Sequence, residues 1–357
     1  LNGPSMSNFL VSSFSLSSAP RSAVFRIQDE LRNAQKEVTT GRFADVGLTL
    51  GSRTNQTVSL RVERESAIRI QEANTLIGQR FDTMQTALES IAKTGENLLA
   101  SLISNGPADA GISASVQQAK AGLQQFMGAI NAASGSRFLF SGAATDQPAL
   151  AFTKVGGGVA SSYEDSSTAK KAVNDALTAA APASAADLEA FLDGAFNDLF
   201  KVPEPSDGTG WDMWSKADPS PVVNRISDSE TLDVSYPASD EAFRNIVKAY
   251  VMISDLGAKT MDEEQRQLLT SRAVETLSLG LSQLTEIRAE IGGKQSRLEI
   301  TNETLGTRKN VLTMSISSFE DVDAYEASTR VTTLTNLLEA SYALTARISR
   351  LSIMNYL

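Results

Sequence analysis

From Val274 to Phe319 the apolar positions keep one heptad register. Leu284, Ile291, Leu298, Leu305, Leu312 and Phe319 recur every seventh residue, and Val274, Leu277 and Leu281 lead into them. A helix places such residues on one narrow stripe. No proline follows Pro237 to break it. The intervening seam positions are polar: Arg288, Gln295, Asn302 and Lys309. A long helix with half an apolar seam cannot bury itself, so it needs a partner helix.

The rest of the chain supplies several. Ile77, Phe81, Met84, Leu88, Ile91, Leu98 and Leu102 alternate steps of four and three, with Gly95 the only gap. They predict a helix starting between Thr54 and Arg61, ending near Ser104 and roughly 70 Å long. Ile112, Val116, Ala119, Leu123, Phe126, Ile130 and Ala133 predict a third helix, ending at Ser134–Gly135. The short turn before it makes the two antiparallel neighbours. Phe138 to Gly142 reads as a short extended piece. Phe243, Ile246, Val247, Tyr250 and Ile253 predict a helix over 239–256, opened by Ser239 with Asp240 and Glu241 and closed by Gly257. Two further stripes lie at the chain ends. Val24, Ile27, Leu31, Ala34 and Val38 predict a helix over 21–40, with Gly41 in a left-handed stop. Leu334, Leu337, Leu344, Ile348 and Leu351 stripe the last segment, with Ser341 in one seam position.

Proline breaks the pattern in the middle. Seven of the ten prolines lie between Pro148 and Pro237, so that stretch reads as a separate inserted α+β region. The expected fold is therefore mainly α: an elongated helical bundle with coiled-coil termini and an inserted central domain. Its expected parts are a disordered segment 1–20, an assembly helix and loop 21–50, bundle halves 51–142 and 238–319 flanking the insertion 143–237, and a second assembly helix 320–357. Leu1 to Ser5 reads as a non-native remnant, with Met6 as the natural start. The two end stripes look like halves of one coiled coil. An isolated pair of such length is marginal in water. Burying a Leu contributes about 1.5–3 kcal/mol, while ordering each residue costs roughly 1–2 kcal/mol. The ends are thus expected to fold against neighbouring subunits, and to be loosely ordered in a lone monomer.

Composition removes most chemistry. The chain has no cysteine and no histidine, which excludes disulfides, thiolate nucleophiles, imidazole bases and Cys/His zinc sites. A net charge of -10 argues against a nucleic-acid surface. No apolar run is long enough to span a membrane. Phe9 to Ala19 lacks the basic flank of a signal peptide. Glu320, Asp321 and Asp323 lack the glycine and distal glutamate of an EF-hand, and read as a helix start. Asp262, Glu263 and Glu264 read the same way. Gly156-Gly157-Gly158 is not followed by a Lys-Ser/Thr pair, so it is not a phosphate loop. Trp211 and Trp214 with Tyr163 could stack on sugar rings, but such spacing is more often one buried cluster. No enzyme, cofactor or metal site is expected.

Four segments resemble the flagellin superfamily. Thr39-Thr40-Gly41-Arg42 is similar to its Ser-Ser-Gly-Lys/Arg element, and Phe138-Leu139-Phe140-Ser141-Gly142 to the piece closing its N-terminal half. Ile291 to Glu299 resembles the Gly-Ala-x-Gln-Asn-Arg-Leu-Glu signature, and Asp321 to Ala327 the acidic opening of the C-terminal helix. Asp45 stands alone where the family often has an Asp pair. Leu351-Ser352-Ile353-Met354-Asn355-Tyr356-Leu357 resembles the ending of the hook–filament junction branch rather than that of filament flagellins. The resemblance covers roughly 6–142 and 238–357. It implies a structural subunit joining hook to filament, with filament flagellin as the nearest alternative and a flagellin-like polysaccharide-binding surface protein as another. It implies as partners a ring of copies, a neighbouring junction protein, flagellin and an export chaperone, with no nucleic acid and no membrane. It also implies an extracellular place on the flagellum and export without a cleaved signal peptide. Val24, Ile27, Leu31, Val38, Leu334, Leu337, Leu344, Ile348 and Leu351 are the expected self-assembly residues.

Overall fold

The computed structural model describes residues 13–106, 109–160 and 162–354; the helix side chains of 13–20, 109–110 and 348–354 fall outside that description. The expected remnant Leu1–Ser5, the start at Met6 and the ending Asn355–Leu357 also lie outside it. The chain divides into two compact units, a terminal unit of Leu1–Ile68 with Gly306–Leu357 and a central unit of Arg69–Leu305.

The terminal unit is helical. Helix α1 (Ser13–Thr40) and the short α2 (Val46–Leu50) precede the start of α3 (Thr54–Asn105). The end of α9 (Glu263–Glu320) and α10 (Ala324–Met354) complete the unit. Helix α1 begins at Ser13, upstream of the start expected near Arg21. Gly41 stops it with φ of 70°, its N–H on the Glu37 carbonyl. Asp45, despite standing alone, caps α2 by accepting from the Leu48 N–H. Helices α1 and α10 pack against each other.

In the central unit the heptad positions of α3 and α9 are buried: Ile77, Phe81, Met84 and Leu88 on one, Leu277, Leu284, Ile291 and Leu298 on the other. Toward its end the α9 seam drifts. Ile316 and Glu320 are buried while Phe319 is half-buried, because a straight helix slips by ~20° per heptad against a strict seven-residue repeat. The polar seam positions of this unit meet α3. Gln295 donates to Asp82, Asn74 donates to Asn302, and Gln85 donates to the Arg288 carbonyl. These bonds satisfy groups that would otherwise be costly to bury. At these positions Gln295 and Asn302 meet α3 through side-chain hydrogen bonds, and Arg288 through its carbonyl.

Helix α4 (Asp109–Ile130) ends earlier than its stripe suggested. The chain then forms a hairpin, β1 (Ala133–Ser134) with β2 (Arg137–Phe138). Helix α8 (Glu241–Asp255) is capped by Asp240 and packs on α4. Gly122 marks their close approach: a Cβ there would lie 2.5 Å from the ring of buried Tyr250. Gly122→Ala should therefore destabilise the protein by about 1–3 kcal/mol in urea denaturation, although alanine is the better helix former by ~1 kcal/mol.

The region between is α+β. It holds α5 (Thr168–Ala180), α6 (Ala185–Asp193) and α7 (Ala195–Asp198). Two small hairpins accompany them: β3 (Phe152–Thr153) with β4 (Val159–Ala160), and β5 (Val223–Arg225) with β6 (Thr231–Asp233). Trp211 and Trp214 are enclosed with Phe152, Tyr163 and Phe200 in one aromatic cluster. Trp214 Nε1 donates to the Leu199 carbonyl at 3.1 Å. Enclosed rings offer no face to a sugar, and this removes the stacking site from the polysaccharide reading.

Candidate assembly surface

The stripes at the two chain ends are not equivalent in three dimensions. On α1, Val24, Ile27 and Leu31 are half-buried along the line that ends in buried Ala34, while Val38 is exposed. The next step of that line is Glu37, not Val38. On α10 the covered line is Ala327, Val331, Leu334, Leu338, Ser341 and Thr345, in steps of four and three. Leu334 belongs to it. Leu337 and Leu344 do not: they are 48% and 56% exposed. Ile348 and Leu351 lie where the side chains are outside the described residues.

This covered line is apolar from Ala327 to Leu338 and turns polar beyond it. Ser341 and Thr345 occupy the covered line, and two leucines face outward. Phe25 on α1 is exposed as well, at 67%. Single exposed apolar residues are ordinary. Leu337 and Leu344, seven residues apart, lie exposed, while Ser341 and Thr345 are half-buried.

At the base of the hairpin, two motifs that lie far apart in the chain meet. Arg42 and Asp321 form an antiparallel bridge. Phe43 N–H donates to the Glu320 carbonyl at 3.0 Å, and Val322 N–H donates to the Gly41 carbonyl at 2.9 Å. The Glu320 side chain is fully buried. Its Oε2 accepts from Arg61 Nη2 at 2.5 Å and faces Arg42 Nη1 at 3.8 Å, while Oε1 is buried without a partner. The hydrogen bond to Glu320 holds Arg61 above its ordinary pKa. Glu37 is the second buried carboxylate. It accepts from the Ala44 N–H at 3.1 Å and pairs with Arg330 of α10 at 3.0 Å. Asp323 caps α10 by accepting from Tyr325 N–H. Asp323 thus starts α10, whereas Glu320, expected in the same helix start, ends α9 and carries the ion pair at the base. Among the described residues no group of three or more His, Cys, Asp or Glu could hold a metal. No described helix is long and apolar enough to cross a membrane.

Sequence reasoning missed Arg61, Glu37 and Arg330, and took Glu320 for part of a helix start. A signal existed: Glu37 follows Ala34 by three, and Glu320 follows Ile316 by four. Both carboxylates sit at seam steps, where an ordinary surface charge would not fall.

The signature segment of α9 has its own work in the central unit. Lys294 pairs with Glu290 at 2.9 Å and sits 4.5 Å over the Tyr236 ring. Arg297 binds Glu230. Asn74 also donates to the Ile226 carbonyl at 2.9 Å. Together these contacts fasten the returning end of the insertion to the long helices. The Phe138–Gly142 segment fastens it as well. Phe140 accepts from the Ala238 N–H at 2.7 Å, and Ser141 from the Asp218 N–H at 3.0 Å. Gly142 sits beside Asp218 where any Cβ would overlap the carbonyl oxygen.

The bacterial flagellin N-terminal helical region matches residues 11–145, and the bacterial flagellin C-terminal helical region matches residues 274–357. The two matches together cover more than half of the chain, in the family's order. The chain belongs to the flagellin family. Among solved structures it is similar to that of a proposed flagellar hook-associated protein from Vibrio parahaemolyticus, with a TM-score of 0.50 and 11% identity. That likeness covers 75% of this chain and 97% of the other, and it is a likeness of fold. A search of curated proteins finds no match. Flagellin-family proteins are structural rather than enzymatic, and this chain is a structural subunit of the flagellum. The hairpin described above lies within the matched regions.

Proposed function

We propose that this flagellin-family subunit joins the hook to the filament and assembles through the outward faces of its terminal hairpin. The observation that carries the assembly reading is the outward placement of Leu337 and Leu344 over an inward Ser341 and Thr345. The junction reading is supported by the ending Leu351 to Leu357 and by the fold likeness to a proposed hook-associated protein. Val24, Ile27, Leu31 and Leu334 hold the hairpin together; Val38, Leu337 and Leu344, with Ile348 and Leu351, meet neighbouring chains. The partners are a ring of copies, a second junction protein and flagellin. An export chaperone holds the chain beforehand, and export proceeds without cleavage of a signal peptide.

Deleting the gene tests the assignment. Cells should keep a hook, lose the filament and shed flagellin into the medium. Hooks with a complete junction but no flagellin, inside or outside the cell, would make the chain the filament subunit instead. Unaffected motility would sink both.

A further inference from the structure

An asparagine side chain is best placed to close on the following backbone nitrogen when the next residue is glycine, which puts no side chain in the way. Among the described residues the chain has one such pair, Asn105-Gly106. Asn105 is the last residue of α3 and is exposed. Gly106 follows in the left-handed region with φ of 61°. A Cβ built on it would meet nothing within 4 Å, so the approach to its nitrogen is open. The N–H groups just beyond α1 and α5, at Gly41 and Ala181, bond back to a helix carbonyl. The Gly106 N–H makes no hydrogen bond among the described residues. The Asn105 amide is held on one side, where Nδ2 donates to Ser101 Oγ at 2.9 Å.

We propose that Asn105 is a self-modifying site, at which the chain deamidates without an enzyme. The Gly106 nitrogen attacks Asn105 Cγ. A C–N bond forms and closes a five-membered succinimide, the bond from Cγ to Nδ2 breaks, and ammonia leaves with the Gly106 amide proton. Water then opens the ring. Opening at one carbonyl gives aspartate, and opening at the other gives isoaspartate, in which the main chain runs through Cβ and Cγ. The reaction takes no cofactor and no electron, so its extent grows with the age of the molecule.

The turn between α3 and α4 is built so that the change is felt. A Cβ at Gly111 of α4 would lie 2.4 Å from the Asn105 carbonyl oxygen and 3.0 Å from the Asn105 Cβ. Ser101, which holds the Asn105 amide, lies 3.2 Å from buried Ser115 of α4. Either product sets a carboxylate at the C-terminal end of α3, the negative end of the helix dipole. Isoaspartate also cuts the carbonyl that packs on Gly111 out of the main chain. Conversion therefore loosens the α3–α4 turn. The inference concerns one chain alone and holds wherever the subunit sits in the flagellum.

The test is peptide mapping of the purified full-length protein after storage in mildly alkaline buffer. Trypsin releases Thr94–Lys120. That peptide should gain one mass unit at Asn105 and resolve into aspartate and isoaspartate forms by electron-transfer fragmentation, while Asn97 in the same peptide stays intact. Helix ends open at little cost, so the folded protein should convert within about tenfold of the rate of the free peptide. Conversion slower by more than about a hundredfold, or conversion at Asn97 ahead of Asn105, would overturn the proposal. Asn105→Gln, whose longer side chain would need a six-membered ring, should leave the peptide mass unchanged; a gain there would overturn it as well. Hydrogen exchange reads the consequence. In the converted fraction the amides of 102–106 and 111–115 should exchange about tenfold faster. Unchanged exchange would overturn the loosening of the turn.

Discussion

Arg61→Ala should destabilise the terminal unit by about 2–4 kcal/mol, and Glu320→Gln by about 1 kcal/mol or less. The asymmetry follows from where each partner sits. The Glu320 side chain has no exposure and its Oε1 has no hydrogen bond. Removing Arg61 leaves a buried carboxylate with only Arg42, whose nearest nitrogen is 3.8 Å away. Arg61 is 46% exposed at its side chain. Removing the carboxylate charge leaves a guanidinium that turns to water at little cost. Arg61's exposure also puts the first figure below the full penalty for breaking a wholly buried pair. The double variant Arg61→Ala, Glu320→Gln should recover most of what Arg61→Ala loses, since no buried charge remains. Urea denaturation gives the three stabilities. Hydrogen exchange at Phe43 and Val322, whose N–H groups hold the base of the hairpin, locates the loss. Equal costs for the two single variants would refute the burial argument.

The central unit was largely legible in advance because its signal is simple. Apolar residues at steps of three and four on α3, α4 and α9 became buried residues on those helices, as the hydrophobic effect requires of any periodic stripe with a partner. The proline-rich stretch carries the short helices and hairpins, but it shares one compact unit and one core with the long helices instead of standing separately. Three things were not legible. Carboxylates at seam steps look like solvent-facing charge until their cations are placed, and Arg61 lies 259 residues from Glu320. The partnership of the Thr39–Arg42 and Asp321–Ala327 motifs is tertiary, so neither motif announces the other. Finally, α10 carries two overlapping heptad registers that share Leu334 and Ser341. The sequence pattern alone picks the one richer in leucine, and that register also contains Leu337 and Leu344. Packing on α1 selects the other, which runs through Ala327, Val331, Leu334 and Leu338 before Ser341 and Thr345. The register that α1 leaves uncovered, with Leu337 and Leu344, is the proposed assembly surface.

That division makes the largest functional effect separable from folding. Leu337→Ser with Leu344→Ser should leave the isolated protein within about 0.5 kcal/mol of its starting stability, the ordinary range for exposed positions. It should also nearly abolish incorporation into flagella. Each leucine buried against a neighbour contributes about 1.5–3 kcal/mol. Losing two removes roughly 3–6 kcal/mol per contact, or about two to four decades in association. Leu334→Ala provides the opposing case. Leu334 is buried within the hairpin, so its truncation should cost about 2–3 kcal/mol of stability in the free subunit and impair assembly only as a consequence. Circular dichroism and urea melts of purified subunits measure the first quantity. The ratio of subunit retained in flagella to subunit shed into the medium measures the second. The outward leucines should score low on retention and normal on stability, and Leu334→Ala should score low on both. If the double serine variant is retained normally, the outward stripe is not the assembly face. If it unfolds the free subunit, the two leucines belong to the hairpin's own packing. The inverted arrangement of Ser341 and Thr345 beneath them would then have to be explained by the fold and not by a neighbour.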